Sequence, residues 1–385
     1  KPTNASVIQK ALIDKVKSAN NSLVKNINFT NIGPTVMSGR VADVDVNPGN
    51  PTEFYVGYAS GGLWYTNNNG TNFTPVLDNS PTQNIGDIAV DWNSGTIWVG
   101  TGEKNSSRSS YAGIGLLKST DKGKTWQNVG LLDSHHISRI VINPKNTNEV
   151  VVGVIGHLYS SNLERGVFKT TDGGQTWNKT LFIDENTGVI DVDFAPENFN
   201  VMYAASWERE RKAWDFDGDG SNSAIYKSTD AGTSWTKISD KSGFPIGDGV
   251  GRIGLAVFNE NTVYALHDSQ FRRPKNTDKK PSNELTKEDF KTMSSVDFLK
   301  LEDKKLNSYL KNNGFQEKYR AQNVKQMVRV GTVKPMDLAS YLEDANAMLF
   351  DTEVIGAEVF KTENGGDSWK KTHDNFLEGV YSSYG

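Results

Sequence analysis

The chain contains no cysteine, which removes disulfides, thiolate zinc sites and cysteine nucleophiles at once. It leaves the compartment open, because exported and cytosolic proteins alike can lack thiols. There is no run of about 18 apolar residues, so no segment reads as a membrane-spanning helix. There is no signal peptide either. The chain opens at "KPTNASVIQ" without an initiator Met, as a processed or trimmed protein does. Positive charge is short as well: 42 Lys and Arg face 46 Asp and Glu, for a net charge of −4. That balance speaks against phosphate backbones and anionic membranes, so no nucleic-acid partner is expected. A long apolar face suited to a helical bundle is also missing.

What is abundant is glycine, 36 residues, and tryptophan, nine, a composition suited to many short strands and tight turns. A length of 385 residues ordinarily means two or three domains, unless one repeat array uses it all. Such a repeat exists. Five boxes align: "TNNNGTNF" from Thr66, "STDKGKTW" from Ser119, "TTDGGQTW" from Thr170, "STDAGTSW" from Ser228 and "TENGGDSW" from Thr362. Their spacings of 53, 51, 58 and 134 residues fit units of about four strands, with some eighty residues inserted in the last. Each unit begins with an alternating strand such as "RVADVDVNP" or "ISRIVINP", followed by an Asn/Pro turn and a second apolar strand such as "EVVVGVI". A third strand, such as "GVFKT", runs into the box, and the box aromatic begins a fourth. Four antiparallel strands at this spacing predict an all-β fold, a β-propeller of four-stranded blades.

The box has a local logic. Asp121, Asp172 and Asp230 occupy a hairpin tip, where a carboxylate accepts from the N–H groups of its own turn. Asn68 and Asn364 keep the acceptor oxygen without the charge. Trp126, Trp177, Trp235 and Trp369 are placed to anchor the turn between neighbouring blades. These residues resemble the Asp-box (BNR) repeats of sialidases, xyloglucan-degrading propellers and sortilin-type receptors. "SGRVADVDVNP", "GTGEKNSSRSSYAGIGLLKSTD" and "GHLYSSNLERGVFKTTDGG" look closest to exported bacterial sortilin-like or BNR-repeat "glycosyl hydrolase" proteins. The resemblance covers about residues 30–268 and 355–375. It implies a secreted or cell-surface location, and it implies that the box is structural and lies away from any ligand.

The flanks divide the chain into 1–28, a helix and linker; 29–268, blades one to four and the start of a fifth; 269–350, a helical insertion; and 351–385, the end of blade five. Within 4–18, Asn4 is a plausible N-cap for an amphipathic helix, and "INFTNIGP" suits a lone strand. "SSVDFLKLEDKKLNSYLKNNG" and "KPMDLASYLEDANAML" each predict one helix of the insertion. Five blades are few for a ring, so a part of a longer propeller protein is the favoured reading.

Candidate chemistry follows from the expected ring. Asp43, Asp87, Arg139 and Asp191 align at one level of the first strands, with Arg40, Asn84, His136 and Arg252 nearer a channel mouth. Long loops carry Glu103, Arg108 and Tyr111; His157, Tyr159, Glu164 and Arg165; and Trp207 and Trp214, where sugar rings or peptide side chains could stack. The adjacent His135 and His136 match no nucleophile motif. In "DFDGDGS", Asp215, Asp217 and Asp219 copy the first half of a calcium loop, although Tyr226 stands where its bidentate Glu belongs. Two functions remain open. One is a non-catalytic exported propeller that binds a protein, peptide or glycan through its channel mouth and long loops. The other is an Asp-box glycoside hydrolase using a carboxylate pair from Asp43, Asp87, Asp191 and Glu103.

Overall fold

A computed structural model of the protein describes residues 2–27, 39–241, 243–273, 284–340 and 354–375. The chain forms two units, one of Lys1–Phe271 with Ile355–Gly385 and one of Arg272–Val354. The first unit begins with helix α1, Ala5–Asn21, capped by Asn4, whose side chain accepts from Ser6 N. None of its residues is buried. "INFTNIGP" falls largely outside the described residues.

Five four-stranded antiparallel sheets follow, each with its strands in chain order. Sheet I holds β1 (Val41–Val46), β2 (Phe54–Tyr58), β3 (Gly62–Thr66) and β4 (Thr74–Pro75). Sheet II holds β5 (Ile85–Asp91), β6 (Thr96–Thr101), β7 (Leu116–Ser119) and β8 (Gln127–Asn128), and sheet III β9 (Ile137–Ile142), β10 (Val150–Val154), β11 (Gly166–Thr170) and β12 (Asn178–Leu181). Sheet IV comprises β13 (Thr187–Ala195), β14 (Asn198–Glu208), β17 (Ile225–Ser228) and β18 (Thr236–Lys237). A ribbon of β15 (Glu210–Arg211) and β16 (Phe216–Asp217) is inserted in it. Sheet V comprises β19 (Val250–Val257), β20 (Val263–Arg272), β21 (Val354–Thr362) and β22 (Lys370–Lys371).

The sheets stand in series, I on II, II on III, III on IV and IV on V, while among the described residues I and V share no comparable contact. Among the described residues no strand pairing joins one sheet to another. The closed β-propeller predicted from the repeat is therefore not formed, and the fold is an open series of blade-like sheets. The reason is physical. Each repeat encodes its own hairpins and the face it presents to its neighbour, whereas closure is a property of the whole series that no single repeat specifies.

Cohesion comes from one apolar layer per joint. Between sheets I and II lie Leu63, Ile85, Ile88 and Val99. Between II and III lie Trp98, Leu116, Ile137 and Val152, and between III and IV lie Val151, Val189 and Met202. The largest such core joins IV to V around Tyr203, Trp207, Ile253 and Trp369. Close approach of sheet backbones is possible at Gly86, where a Cβ would come within 2.0 Å of the Ile137 carbonyl oxygen.

The second unit packs α2 (Lys287–Thr292), α3 (Ser295–Lys300), α4 (Asp303–Asn312), α5 (Ala321–Arg329) and α6 (Pro335–Ser340). Their shared core contains Phe290, Phe298, Leu306, Leu310, Val324 and Leu338. The stretch expected to be one helix from Ser295 breaks into α3 and α4 at Leu301–Glu302. Ser294 caps α3 by accepting from Asp297 N. The remainder of the helix expected after Ser340 falls outside the described residues.

Trp98 is 1% exposed, packs edge-on against Trp177 with ring centroids 6.2 Å apart, and carries Lys118 Nζ 4.6 Å above its ring. Trp98→Ala is expected to destabilise the β unit by about 3–5 kcal/mol, read from the midpoint of urea unfolding. A loss under about 1 kcal/mol would show that the joint between sheets II and III contributes little.

Candidate functional site

The boxes are built as clasps. Asp121 accepts from Thr125 N at 2.9 Å, Thr125 Oγ1 at 2.6 Å and Ser119 Oγ at 2.7 Å. Asp172 does the same with Thr176 and Thr170, and Asp230 with Ser234 and Ser228. Asn68 and Asn364 keep the backbone acceptor, and their Nδ2 groups donate to Asn72 and Ser368. The box tryptophans reach the preceding sheet. Trp126 Nε1 donates to Val76 O, Trp177 Nε1 to Val129 O and Trp235 Nε1 to Thr180 Oγ1. Trp369 is buried beside Phe244.

Hydrogen bonds from Thr125, then Ser119, hold the Asp121 carboxyl down at about 2, and those from Thr176, then Thr170, hold Asp172 low. At Asp230 burial pushes upward, but Ser234 and Ser228 prevail and leave it at about 2. A carboxyl depressed below its ordinary 3.8 stabilises the fold above that value and loses the effect as pH falls through the folded value. Replacing Asp121, Asp172 and Asp230 together by Asn is therefore expected to lower Tm by an amount constant from neutrality to about pH 4. That deficit should close as pH approaches about 2. A deficit independent of pH would contradict the assignment.

The aspartates of the first strands have a different task. Asp43 Oδ2 accepts from Ile88 N at 3.1 Å, and Asp45 Oδ2 from Val90 N at 2.8 Å. Asp87 Oδ2 accepts from Ile140 N at 2.7 Å, Asp191 Oδ2 from Leu255 N at 2.8 Å and Asp193 Oδ2 from Val257 N at 2.8 Å. Each carboxylate thus binds the backbone of the next sheet's first strand. In sheet III the corresponding position is Arg139, which cannot accept. Its guanidinium instead reaches Asp191 Oδ1 at 3.0 Å and Asp87 Oδ1 at 3.7 Å, while Ser138 Oγ donates to Val189 O.

The loop after β6 gathers most of the other candidates. Glu103, buried, pairs with Arg40 Nη2 at 3.2 Å and accepts from Ser110. Lys104 Nζ meets Asp87 Oδ1 at 2.9 Å and Ser138 O at 2.8 Å. Asn105 Oδ1 accepts from Arg252 Nη1 at 3.0 Å. Burial raises the Asp87 carboxyl to about 6 against the pull of Lys104 and Arg139. Burial works against charge on Arg139, but Asp87 and Asp191 outweigh it, and its pKa lies above the ordinary guanidinium value. Asp43, Asp87, Asp191, Arg40, Glu103, Arg139 and Arg252 are thereby engaged with protein partners. Asp87→Ala removes the acceptor of Ile140 N and leaves Lys104 unneutralised at a buried site. A loss of about 3–5 kcal/mol is expected in urea unfolding, mostly recovered in the Asp87→Asn/Lys104→Met pair, which keeps an acceptor for Ile140 N. Failure of the pair to recover stability would contradict this account.

The remaining candidates are dispersed. Tyr111 and Trp214 are 57% and 84% exposed, and Arg108 is exposed. Trp207 is buried and donates to Gly218 O, with the guanidinium groups of Arg209 and Arg252 over its ring. His136 is buried, and Asn84 Nδ2 donates to Ala112 O. Asp215 sits in the tip of the β15–β16 ribbon, where its N–H and that of Lys212 bond each other's carbonyls. Asp217 lies on β16, and burial, then Asp217, raises the Asp219 carboxyl.

Among the described residues a different group has metal-ligand geometry. One ligand atom each of Asp133, His135 and His157 lies within 4.8 Å of the others, so this cluster could coordinate a metal ion. His157 Nε2 lies 3.1 Å from Asp133 Oδ1 and Nδ1 lies 2.9 Å from Ser160 Oγ. The His135 ring stacks on His157 with centroids 3.7 Å apart. Burial, then His157, lowers the His135 pKa to about 4, and burial also lowers that of His157. Both imidazoles are therefore neutral at pH 7. Sequence reasoning noticed His135 only as the neighbour of His136. The one available signal was a Ser-His-His loop and a Gly-His loop at the same end of adjacent first and second strands.

The fold and these clasps define a class: proteins built from serial four-stranded antiparallel sheets whose hairpins are closed by Asp or Asn turn clasps. A family model described as "Sortilin, neurotensin receptor 3" (Sortilin-Vps10) matches residues 115–329, more than half of the chain, and the chain belongs to that family. Comparison with curated proteins gave no match. Among solved structures, an ancestral GH74 enzyme is 20% identical over 62% of this chain and 30% of its own, with a TM-score of 0.46. The GH74 enzyme of Niastella koreensis is 21% identical over 52% of this chain and 30% of its own, at 0.39. YCF48 from Cyanidioschyzon merolae is 12% identical over 62% of this chain and 95% of its own, at 0.29. The chain thus spans about 30% of the length of either GH74 structure.

Family membership does not restore the ring. The expected likeness to exported BNR-repeat propellers is corrected to membership of the Sortilin-Vps10 family with an open sheet series. Without a closed ring there is no channel mouth, and both functions that presumed one are set aside: the propeller that binds protein, peptide or glycan, and the Asp-box glycoside hydrolase. No helix among the described residues is long and apolar enough to cross a membrane.

Proposed function

We propose that the β unit is a non-enzymatic assembly module that joins a second copy of the chain head to tail, sheet V of one copy against sheet I of the next. The observation that carries this reading is the exposure of the two end faces. Second strands of sheets II and III are buried almost throughout, "TIWVGT" and "VVVGV" alike. In β20, by contrast, Val263, Ala265 and His267 are buried while Tyr264 and Leu266 are 40% and 47% exposed. Cross-strand register puts Tyr264 opposite Ala256 and Leu266 opposite Gly254. Gly254 and Ala256 occupy the positions of Asp191 and Asp193, which face the next sheet.

Sheet I is exposed on the opposite face. Val44 and Val46 are 45% and 44% exposed, whereas Ile88 and Ile140, at the position of Val44, are 3% and 4% exposed. These are the residues through which a sheet receives the one before it. Val44 lies opposite Val56, which lies opposite Trp64, and Val46 lies opposite Phe54, forming one apolar face. A copy of sheet V is thus the surface type that the repeat sets against sheet I. With Gly254 and Ala256 in place of aspartates, this joint has no carboxylate to bind Val44 N or Val46 N. Reversible association is expected rather than a permanent joint. The engagement of Asp43, Asp87 and Asp191 in backbone bonds supports a role without acid–base chemistry. The family supports a secreted or cell-surface location.

The test is sedimentation velocity over a concentration series. The wild-type chain should form larger species as concentration rises, and Val44→Lys and Tyr264→Lys should each remain monomeric. An equimolar mixture of the two variants should form dimers, since each retains one intact face. Wild-type protein that stays monomeric throughout, or variants that associate as it does, would overturn the reading.

A further inference from the structure

We propose that Asp133, His135 and His157 form a binding site for a divalent transition metal of the zinc class, which fastens the loop before β9 to the loop after β10. The donors are two imidazole nitrogens and one carboxylate oxygen, gathered within 4.8 Å. Such a set suits zinc and its neighbours, which take four ligands rich in nitrogen. It does not suit calcium, which takes six to eight oxygens.

Three further observations support a site rather than a chance meeting of side chains. The first is the backbone at His135. Its φ is +54°, a left-handed conformation uncommon for a non-glycine residue and often associated with function. It is held there from two sides: Gly113 N donates to His135 O at 2.7 Å, and the same oxygen lies where a Cβ on Gly102 would be, 1.8 Å away. The constraint sets the His135 ring on His157.

The second is that His135, so placed, makes no side-chain hydrogen bond among the described residues, so its ring nitrogens are free to ligate. The third is the supporting shell. Asn162 donates to Asp133 O at 2.7 Å and its Oδ1 accepts from His157 N at 3.0 Å, tying both ligand segments to one side chain. Glu164 accepts from Asp133 N at 2.8 Å. Arg165, buried, donates to the carbonyls of Ile155, His157 and Ser160 and holds the second loop. Ser160 Oγ, next to His157 Nδ1, is the outer partner that orients a ligating imidazole.

A metal ion between His157 Nε2 and Asp133 Oδ1 takes the place of the proton those atoms share. That proton moves to Nδ1, which then donates to Ser160 Oγ. Three protein ligands leave one position of a tetrahedral ion for water, and Asp133 and His135 are both partly exposed to solvent. The ion would join segments on either side of the β9–β10 hairpin, a structural clasp at the end of sheet III opposite its box.

The test uses the whole chain with zinc and with cobalt, whose tetrahedral complexes have intense visible absorption. One equivalent of Zn2+ is expected to bind by calorimetry and raise Tm, Co2+ to give the tetrahedral spectrum, and Ca2+ to do neither. His135→Gly removes a ligand while favouring the left-handed backbone, and should keep the fold and abolish the cobalt spectrum. Asn162→Ala, a change outside the ligand set, should weaken zinc about 10–100-fold. Absence of saturable binding by the wild-type chain, or an unchanged cobalt spectrum in His135→Gly, would overturn the proposal. Neither result depends on whether the chain self-associates.

Discussion

The bond between a side-chain carboxylate on one sheet and a backbone N–H on the next is the interaction on which this architecture depends. An innermost strand has a pairing partner on one side only, so its other edge presents amide groups that would be buried without acceptors. Asp43, Asp45, Asp87, Asp191 and Asp193 supply those acceptors. The apolar layers between sheets give cohesion without direction. The carboxylates set register, since each can reach only the amide one position further along the next strand. The box tryptophans perform the same service at the outer edge.

This arrangement explains why charged side chains can line the inner edge without forming a reaction centre. Of the carboxylates that a hydrolase would need, Asp43, Asp87 and Asp191 are bound to amides and Glu103 is paired with Arg40, while Lys104 and Arg139 neutralise Asp87 and Asp191. Sheet III departs from the pattern with Arg139, and the ion pairs to Asp87 and Asp191 take over where an acceptor is lost. The raised Asp87 carboxyl is a consequence of its burial in that joint. It needs no catalytic explanation.

The end faces and the histidine cluster follow from the same construction. Interior sheets are covered on both sides, and the terminal ones are left with Val44 and Val46 at one end and Tyr264 and Leu266 at the other. The loops before β9 and after β10 are held by Gly113, Asn162 and Arg165, and His135 stacks on His157 between them. His135 keeps its left-handed backbone because Gly102 leaves room for its carbonyl and Gly113 N donates to it. Two glycines in a loop of sheet II thus shape a group of donors beside sheet III.

The strand pattern, the clasp residues and the helical insertion were all legible in the chain, because each depends on neighbours a few residues away. Alternation placed β1, β5, β9, β13 and β19, and Ser/Thr-x-Asp/Asn-x-Gly with a following aromatic marked the turns. The ring was not legible. Closure depends on how rotations accumulate over a series, and a repeat read from sequence is silent about their sum. Nor could spacing reveal that Asp43 and Asp87 bond amides 45 and 53 residues away, or that a histidine in one loop stacks on another 22 positions later. Local chemistry determined what each hairpin would be. Contacts between distant segments decided which carboxylates were already occupied, which faces remained bare and which donors came together.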